Sequence, residues 1–182
     1  MPDTLVETQR LAAELFPWEH DHQAALLAAI APGSHAAFLR DRGLASVRFW
    51  TSIQNGQVAG LAGLYNYAAH PEETWLAWYG LHATARGCGK GAELLDWVIA
   101  EARAEQKRVL RLWTTAEEEY AKAIALYRKR GFLSEPWSAL PGETWQTLVL
   151  SLGLDGCEPT TWAQRSPHGE LCGREAPQLV AA

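Results

Sequence analysis

The segment that most restricts how this chain can fold is Tyr79-Gly80-Leu81-His82-Ala83-Thr84-Ala85-Arg86-Gly87-Cys88-Gly89-Lys90-Gly91-Ala92. It leaves an apolar stretch, Thr74–Leu81, that reads as a buried strand, and passes through a glycine-rich turn into a helical pattern. There Leu94, Leu95, Val98, Ile99 and Ala102 recur on one face of an amphipathic helix. Val109–Trp113 follows as a short strand, so strand, turn, helix and strand make a crossover unit, which implies a parallel pairing. Upstream the pattern differs. Val47, Phe49, Thr51 and Ile53 alternate with Arg48, Trp50 and Ser52, the period of a strand. Asn55-Gly56 separates this run from a return strand, Val58–Tyr67, and is the strongest short hairpin signal. Pro71-Glu72-Glu73 turns the chain again before Thr74–Leu81. Sequential strands with short connections form an antiparallel meander. The expected fold class is α+β: one domain with a mixed sheet, an antiparallel N-terminal meander and a central parallel pair, flanked by helices.

The remaining elements are read the same way. Leu5–Phe16 fits either a first strand or a helix. Glu19–Ile30 has helical spacing, stopped by Ala31-Pro32-Gly33. Ser34 is a candidate cap for a short helix through Arg42, closed by Gly43. Thr115 and Glu118 form a capping-box pattern that opens a helix through Arg130. Its acids, Glu117 to Glu119, fall in the first turn and Arg128-Lys129-Arg130 in the last, matching the helix dipole; Gly131 closes it. Thr144–Leu152 reads as a final strand with Phe132–Trp137 as partner. From Asp155 onward the chain is polar and turn-rich, so residues 1–154 are expected to form the domain and 155–182 a loosely ordered tail or irregular flap.

A length of 182 residues suits one domain. With 48% hydrophobic and 20% charged residues, the composition is that of a soluble globular protein with a real core. The longest apolar run, around Ala24–Ala31, falls far short of the roughly 20 residues needed to span a bilayer. No basic region precedes a hydrophobic stretch at the N-terminus. Cys88, Cys157 and Cys172 are too few for a disulfide framework and match no zinc spacing. These features point to a cytoplasmic protein with reduced thiols, no membrane partner and no metal. The net charge of −5 argues against nucleic acid as a partner and weakly favours a cationic or amine substrate through field steering. Assembly as a homodimer stays open.

Glycines let a backbone approach an anion closely and accept the positive φ values that turn amides inward. A helix start adds unpaired N–H groups and the positive dipole end. The turn therefore reads as a pyrophosphate cradle, with Arg86 and Lys90 adding charge; for glycines alone, a tight turn without ligand is the equal alternative. A P-loop is excluded, because Lys90 is followed by Gly91 and not by Ser or Thr. Gly87-Cys88-Gly89-Lys90-Gly91-Ala92 does satisfy the dinucleotide fingerprint. That pattern needs a ribose-binding acid about 20 residues on, where Lys107-Arg108-Val109-Leu110-Arg111 stands.

The segment resembles the acyl-CoA-binding motif of the GNAT superfamily of N-acetyltransferases, Arg/Gln-x-x-Gly-x-Gly/Ala between the family's fourth strand and third helix. Arg86, Gly89 and Gly91 hold its fixed positions. Downstream, Ala123-Ile124-Ala125-Leu126-Tyr127-Arg128-Lys129-Arg130-Gly131-Phe132 resembles the family's A-x-x-L-Y-x-x-x-G-F ending. The resemblance covers roughly Val47–Leu152. It implies acetyl-CoA as the acyl donor, and roles for particular residues. The backbone of Leu81 and Ala83 would pair with the pantetheine amides and polarise the thioester carbonyl. The amides of Gly87, Cys88, Gly89, Lys90, Gly91 and Ala92 would hold the pyrophosphate. Tyr127 would be the general acid for the leaving thiolate; a phenol of pKa about 10 is protonated at neutral pH and can donate to a thiolate whose acid has pKa about 8.5.

Two departures stand out. The asparagine that many relatives carry seven residues before the tyrosine is Tyr120 here, and Thr74–Leu81 lacks the glutamate that many use as base. Glu72, Glu73, His82 or a water chain are the candidates for that role, which stays unassigned. Nine tryptophans are unusual for this length. Trp75 and Trp78 on the family's fourth strand, Trp113 on the fifth and Trp145 on the last suggest an aromatic-walled pocket for a small-molecule amine, with Trp75 and Trp78 as its substrate residues. The expected reaction is direct attack of a primary amine on acetyl-CoA. The alternative from another class is an acyl-CoA-binding sensor without turnover.

Overall fold

The computed structural model describes residues 2–137, 144–166 and 171. The chain forms two compact units, Met1–Lys107 and Arg108–Ala182.

The first unit opens with helix α1 (Leu5–Leu15), which settles the ambiguous N-terminal segment as helical. Thr8, Leu11 and Ala12 are its buried residues, the i, i+3, i+4 spacing of a helix face. Helix α2 (His22–Ile30) begins later than the spacing alone suggests, with the Glu19 carbonyl 2.9 Å from His22 Nδ1 ahead of it. A 3-10 turn, Pro32–His35, leads into α3 (Ala36–Asp41). Ser34 lies inside that turn and is not a cap: Pro32, whose ring already holds a helical φ, starts the turn early, and His35 takes the cap position with no side-chain bond.

Three antiparallel strands follow, β1 (Leu44–Gln54), β2 (Gln57–Tyr67) and β3 (Glu73–Leu81). Gln54 faces Gln57 across the hairpin, and Asn55 and Gly56 both have positive φ, 52° and 77°. That is the turn whose twist matches the flanking strands. Strand β2 is buried from Ala59 to Asn66 without alternation, because helices cover it on both faces. Helix α1 packs on β2 and β3, as does α4 (Lys90–Ala104). The five apolar residues of the α4 pattern are all buried. Arg48 of β1 reaches Glu101 of α4 and Glu105 at its C-cap, while its neighbour Phe49 points to the other face and stacks on Trp78.

The second unit contains β4 (Val109–Thr115), α5 (Ala121–Lys129), β5 (Leu133–Trp137), β6 (Thr147–Gly153) and a short α6 (Trp162–Arg165). Strand β6 pairs antiparallel with β4 on one side and β5 on the other. The capping box read at Thr115 and Glu118 does not form. Thr115 is still paired with Thr147 in the ladder, so its backbone cannot start a helix; its hydroxyl donates to Glu117 instead, at 2.9 Å. A 3-10 turn, Glu118–Tyr120, precedes α5, and Gly131 ends it at φ 88°.

Residues 155–166 form a mostly exposed, irregular segment that is anchored at one side chain. Trp162 is 1% exposed, and α6 carries a complete capping box between Thr161 and Gln164. The reason is a buried cation: Arg111 of β4, 0% exposed, donates from Nη1 to Ser151 Oγ at 2.6 Å and to the Thr160 carbonyl at 3.0 Å. Its guanidinium lies 5.3 Å from the Trp162 ring. The rest of the expected tail, 167–170 and 172–182, lies outside the described residues, and Cys172 with it.

Candidate functional site

The glycine turn grows out of the C-terminal end of β3. Leu81 closes the strand, and His82 extends it by one bond, donating its backbone N–H to the Ala59 carbonyl at 2.9 Å. Residues Ala83–Ala85 then wind into a 3-10 turn, pinned by His82 Nδ1, which accepts the Thr84 N–H at 3.3 Å and lies 2.7 Å from Thr84 Oγ1. Arg86 leaves the turn extended. Its Nε donates to the Leu81 carbonyl at 2.9 Å, so the fixed arginine of the motif braces the loop it belongs to as well as presenting charge. Ala83 contributes its carbonyl to the Arg86 N–H at 3.3 Å.

Gly87 and Gly89 have φ of 79° and 85°, and a Cβ at either would meet nothing within 4 Å. Glycine is required here by the left-handed backbone, not by crowding, and the space above it is open for a ligand. Gly89 is the N-cap of α4, which makes its first helical bond from the Glu93 N–H to the Gly89 carbonyl at 3.1 Å. The amides of Lys90, Gly91 and Ala92 are therefore those a helix start leaves without intrahelical acceptors. A 15-residue helix directs its positive dipole end at the same point. These groups fit an anionic ligand such as a pyrophosphate.

The side chains of the turn do less. Cys88 is an exposed thiol whose Sγ donates to the Ala85 carbonyl at 3.2 Å, a local contact. Lys90 Nζ sits 2.6 Å from Glu93 Oε2, a hydrogen bond that raises the lysine pKa and partly offsets its charge. One residue that sequence reasoning missed joins strand to cradle: the Tyr79 hydroxyl donates to the Gly91 carbonyl at 2.7 Å. Nothing in the alternation of β3 marks it, because the strand is bulged at that point.

The bulge itself lies where Leu61 pairs with Gly80 but Gly63 pairs with Ala77, so Trp78 and Tyr79 together oppose Ala62. Trp78 takes φ 45° there, a strained value for a bulky side chain. Bulges re-aim side chains and concentrate beside active sites. Trp75, the other aromatic candidate of this strand, is 3% exposed and belongs to the core, whereas Trp78 keeps part of its surface in solvent. Of the base candidates, Glu73 is buried at the start of β3, Glu72 is exposed, and His82 Nε2 lies 3.4 Å from Glu14. A polar cleft of about 530 Å3 borders the turn on the α1 side, with Arg10, Glu14, His82 and Thr84 in its lining.

In the second unit Tyr127 is a buried residue of α5, with its ring 5.7 Å from Phe132. Tyr120, in the asparagine position, is half-buried, and burial together with a hydrogen bond to Glu119 pushes its phenol up to about 12. Trp113 is half-buried near the end of β4, and Trp145 is exposed just before β6. Among the described residues no group of three or more His, Cys, Asp and Glu is arranged to hold a metal ion, and no helix is long and apolar enough to cross a membrane.

The model of the acetyltransferase (GNAT) family matches residues 6–132. Among solved structures, a GNAT-family protein from Desulfovibrio desulfuricans superimposes with a TM-score of 0.63 at 19% identity, covering 84% of this chain and 94% of that one. A ribosomal-protein-alanine N-acetyltransferase from Brucella melitensis gives 0.56 at 22% identity, over 84% and 93%. A GNAT family acetyltransferase from Elizabethkingia anophelis, with acetyl-CoA bound, gives 0.50 at 22% identity, over 64% and 82%. No curated protein sequence matches the chain significantly. The family match and the structural likeness agree on the fold: α+β, with a mixed sheet flanked by helices.

Proposed function

Because the chain belongs to the GNAT acetyltransferase family, we propose that it is an N-acetyltransferase that moves the acetyl group of acetyl-CoA onto the primary amine of a small molecule. The observation that carries this reading is the open glycine turn at the start of α4, where two left-handed glycines face open space at a helix N-terminus. A solved relative of the same fold holds acetyl-CoA, which supports that donor here. The Brucella relative is named for acting on a ribosomal protein; the strained, part-exposed Trp78 favours a small acceptor instead.

In the proposed reaction the amine nitrogen attacks the thioester carbonyl, forming a C–N bond and a tetrahedral oxyanion. Backbone amides at the end of β3, near Leu81, stabilise that charge. The intermediate collapses as the C–S bond breaks, and the electron pair leaves on sulfur. Tyr127 gives its proton to the thiolate, and the amine loses one to solvent or to a base. Arg86 contributes by holding the Leu81 carbonyl and with it the loop.

Calorimetric titration of acetyl-CoA into the wild type and into Gly89→Glu tests the cradle. Micromolar binding that the carboxylate abolishes supports it; no binding to the wild type overturns the acyltransferase reading. A screen of small amines for CoA release then separates an enzyme from a sensor, which would bind the donor and release nothing. Tyr127→Phe is expected to lower kcat about 100-fold with acetyl-CoA affinity unchanged; an unaltered kcat removes Tyr127 from the chemistry.

A further inference from the structure

The bulge at Trp78 gathers an aromatic group within the first unit that no single motif announces. The Trp78 ring stacks on Phe49 at 5.2 Å and on Phe16 at 6.5 Å, lies tilted on Tyr65 at 6.4 Å and meets His22 edge-on at 6.0 Å. Phe16 in turn meets Trp18 edge to face at 6.2 Å. Phe16 and Trp18 belong to the link between α1 and α2, and that link can lie on β3 because Gly80 has no side chain: a Cβ there would sit 3.0 Å from Leu15 and 3.1 Å from the Phe16 ring. Phe49 and Tyr65 form the buried floor. Trp78, Phe16 and His22 are half-exposed, and Trp18 is 58% exposed. The link carries two acids, of which Asp21 is paired with Arg42. Glu19 follows Trp18 directly, and its carbonyl anchors His22, whose ring faces Trp78. Burial, with Glu19 adding to it and Arg42 opposing, keeps the Tyr65 phenol well above its usual range and therefore neutral.

The Trp18 indole adds little to the core from its exposed place, yet it is held edge-on by Phe16, which in turn stacks on Trp78 at its strained φ, and it directly precedes the acid Glu19. A flat π surface attracts an aromatic body by stacking and a cation by its quadrupole, and a neighbouring carboxylate selects positive charge. Resting on the acetyltransferase reading above, we propose that the rim formed by Phe16, Trp18 and Trp78, with Glu19 beside it, recognises the acceptor and takes a primary ammonium carried on a flat aromatic body. Trp18 and Glu19 are specificity-determining positions in this assignment: the acceptor's flat body rests on the exposed Trp18 ring, and Trp78, stacked on Phe16 and Phe49, braces the rim from behind.

The test reads acceptor binding apart from chemistry. 2-Phenylethylamine and butylamine are titrated calorimetrically into the full chain saturated with CoA. The aromatic amine is expected to bind about tenfold more tightly, and Trp18→Ala to remove that preference while leaving CoA affinity intact. Glu19→Gln is expected to weaken both amines by about the same few-fold factor. Equal affinity of the two amines for the wild type, or a preference that survives Trp18→Ala, overturns the assignment. The two readings fail separately. Selective aromatic binding without CoA release from acetyl-CoA sinks the transferase and keeps the rim, whereas CoA release with no aromatic preference does the reverse.

Discussion

Two tryptophans, one in each unit, show how the same side chain is put to opposite uses. Trp162 is 1% exposed on a capped helical turn, with its backbone N–H on the Glu135 carboxylate and its ring under the guanidinium of fully buried Arg111. Trp78 is half-exposed, sits at φ 45° in a bulge and meets rings from α2, β1, β2 and the α1–α2 link. The first arrangement is enclosed and unstrained, and its polar groups are satisfied. That is what a stabilising contact requires. The second holds strain and leaves apolar surface in water, a state that persists at positions over-determined for another purpose. Burial alone does not separate structural from functional aromatics; backbone strain combined with residual exposure does.

That contrast can be broken by substitution. Trp162→Ala should cost about 4 kcal/mol through the cavity it leaves, which for a chain of this size lowers Tm by roughly 10 °C in a calorimetric melt. A drop under a few degrees would make residues 155–166 an ornament and not part of the core. Arg111→Met keeps the stem but removes the donor from Ser151 and from the Thr160 carbonyl, and should cost about 2 kcal/mol in the same measurement. An unchanged Tm there would mean that burial of the Trp162 ring holds the segment without the guanidinium. Trp18→Ala, at the solvent edge of the other cluster, should move Tm by only about 1 °C. A large loss would turn the rim into core.

Much of the architecture was legible in the chain. The hairpin at Asn55-Gly56 and the apolar face of α4 follow from local rules of φ and periodicity, and both appear at the residues where those rules put them. So does the helix ending at Gly131. Errors fell where a longer contact overruled a local preference. Thr115 and Glu118 have the letters of a capping box, yet the ladder to Thr147 keeps Thr115 in a strand. Residues 155–166 stay mostly exposed and irregular, as their polar composition suggests, and what the letters did not mark is that a buried arginine holds them at Thr160 and Trp162. At the candidate site, the glycines could be singled out because glycine adopts their left-handed backbone at the least steric cost. The part played by Tyr79 and the position of Trp78 could not, since a bulge shifts the strand's alternation by a residue and leaves no trace in the letters.

By itself, the sequence determined what depends on near neighbours: the meander, the glycine turn opening a helix, and the spaced residues that mark the family. Each rests on a few consecutive φ and ψ preferences or on a fixed period along one element. Only the tertiary structure decided which tryptophan faces solvent and that Arg111 is a buried anchor. Those outcomes depend on strand register and on rotamers chosen among alternatives of similar local energy. Distant residues settle that choice when they come into contact.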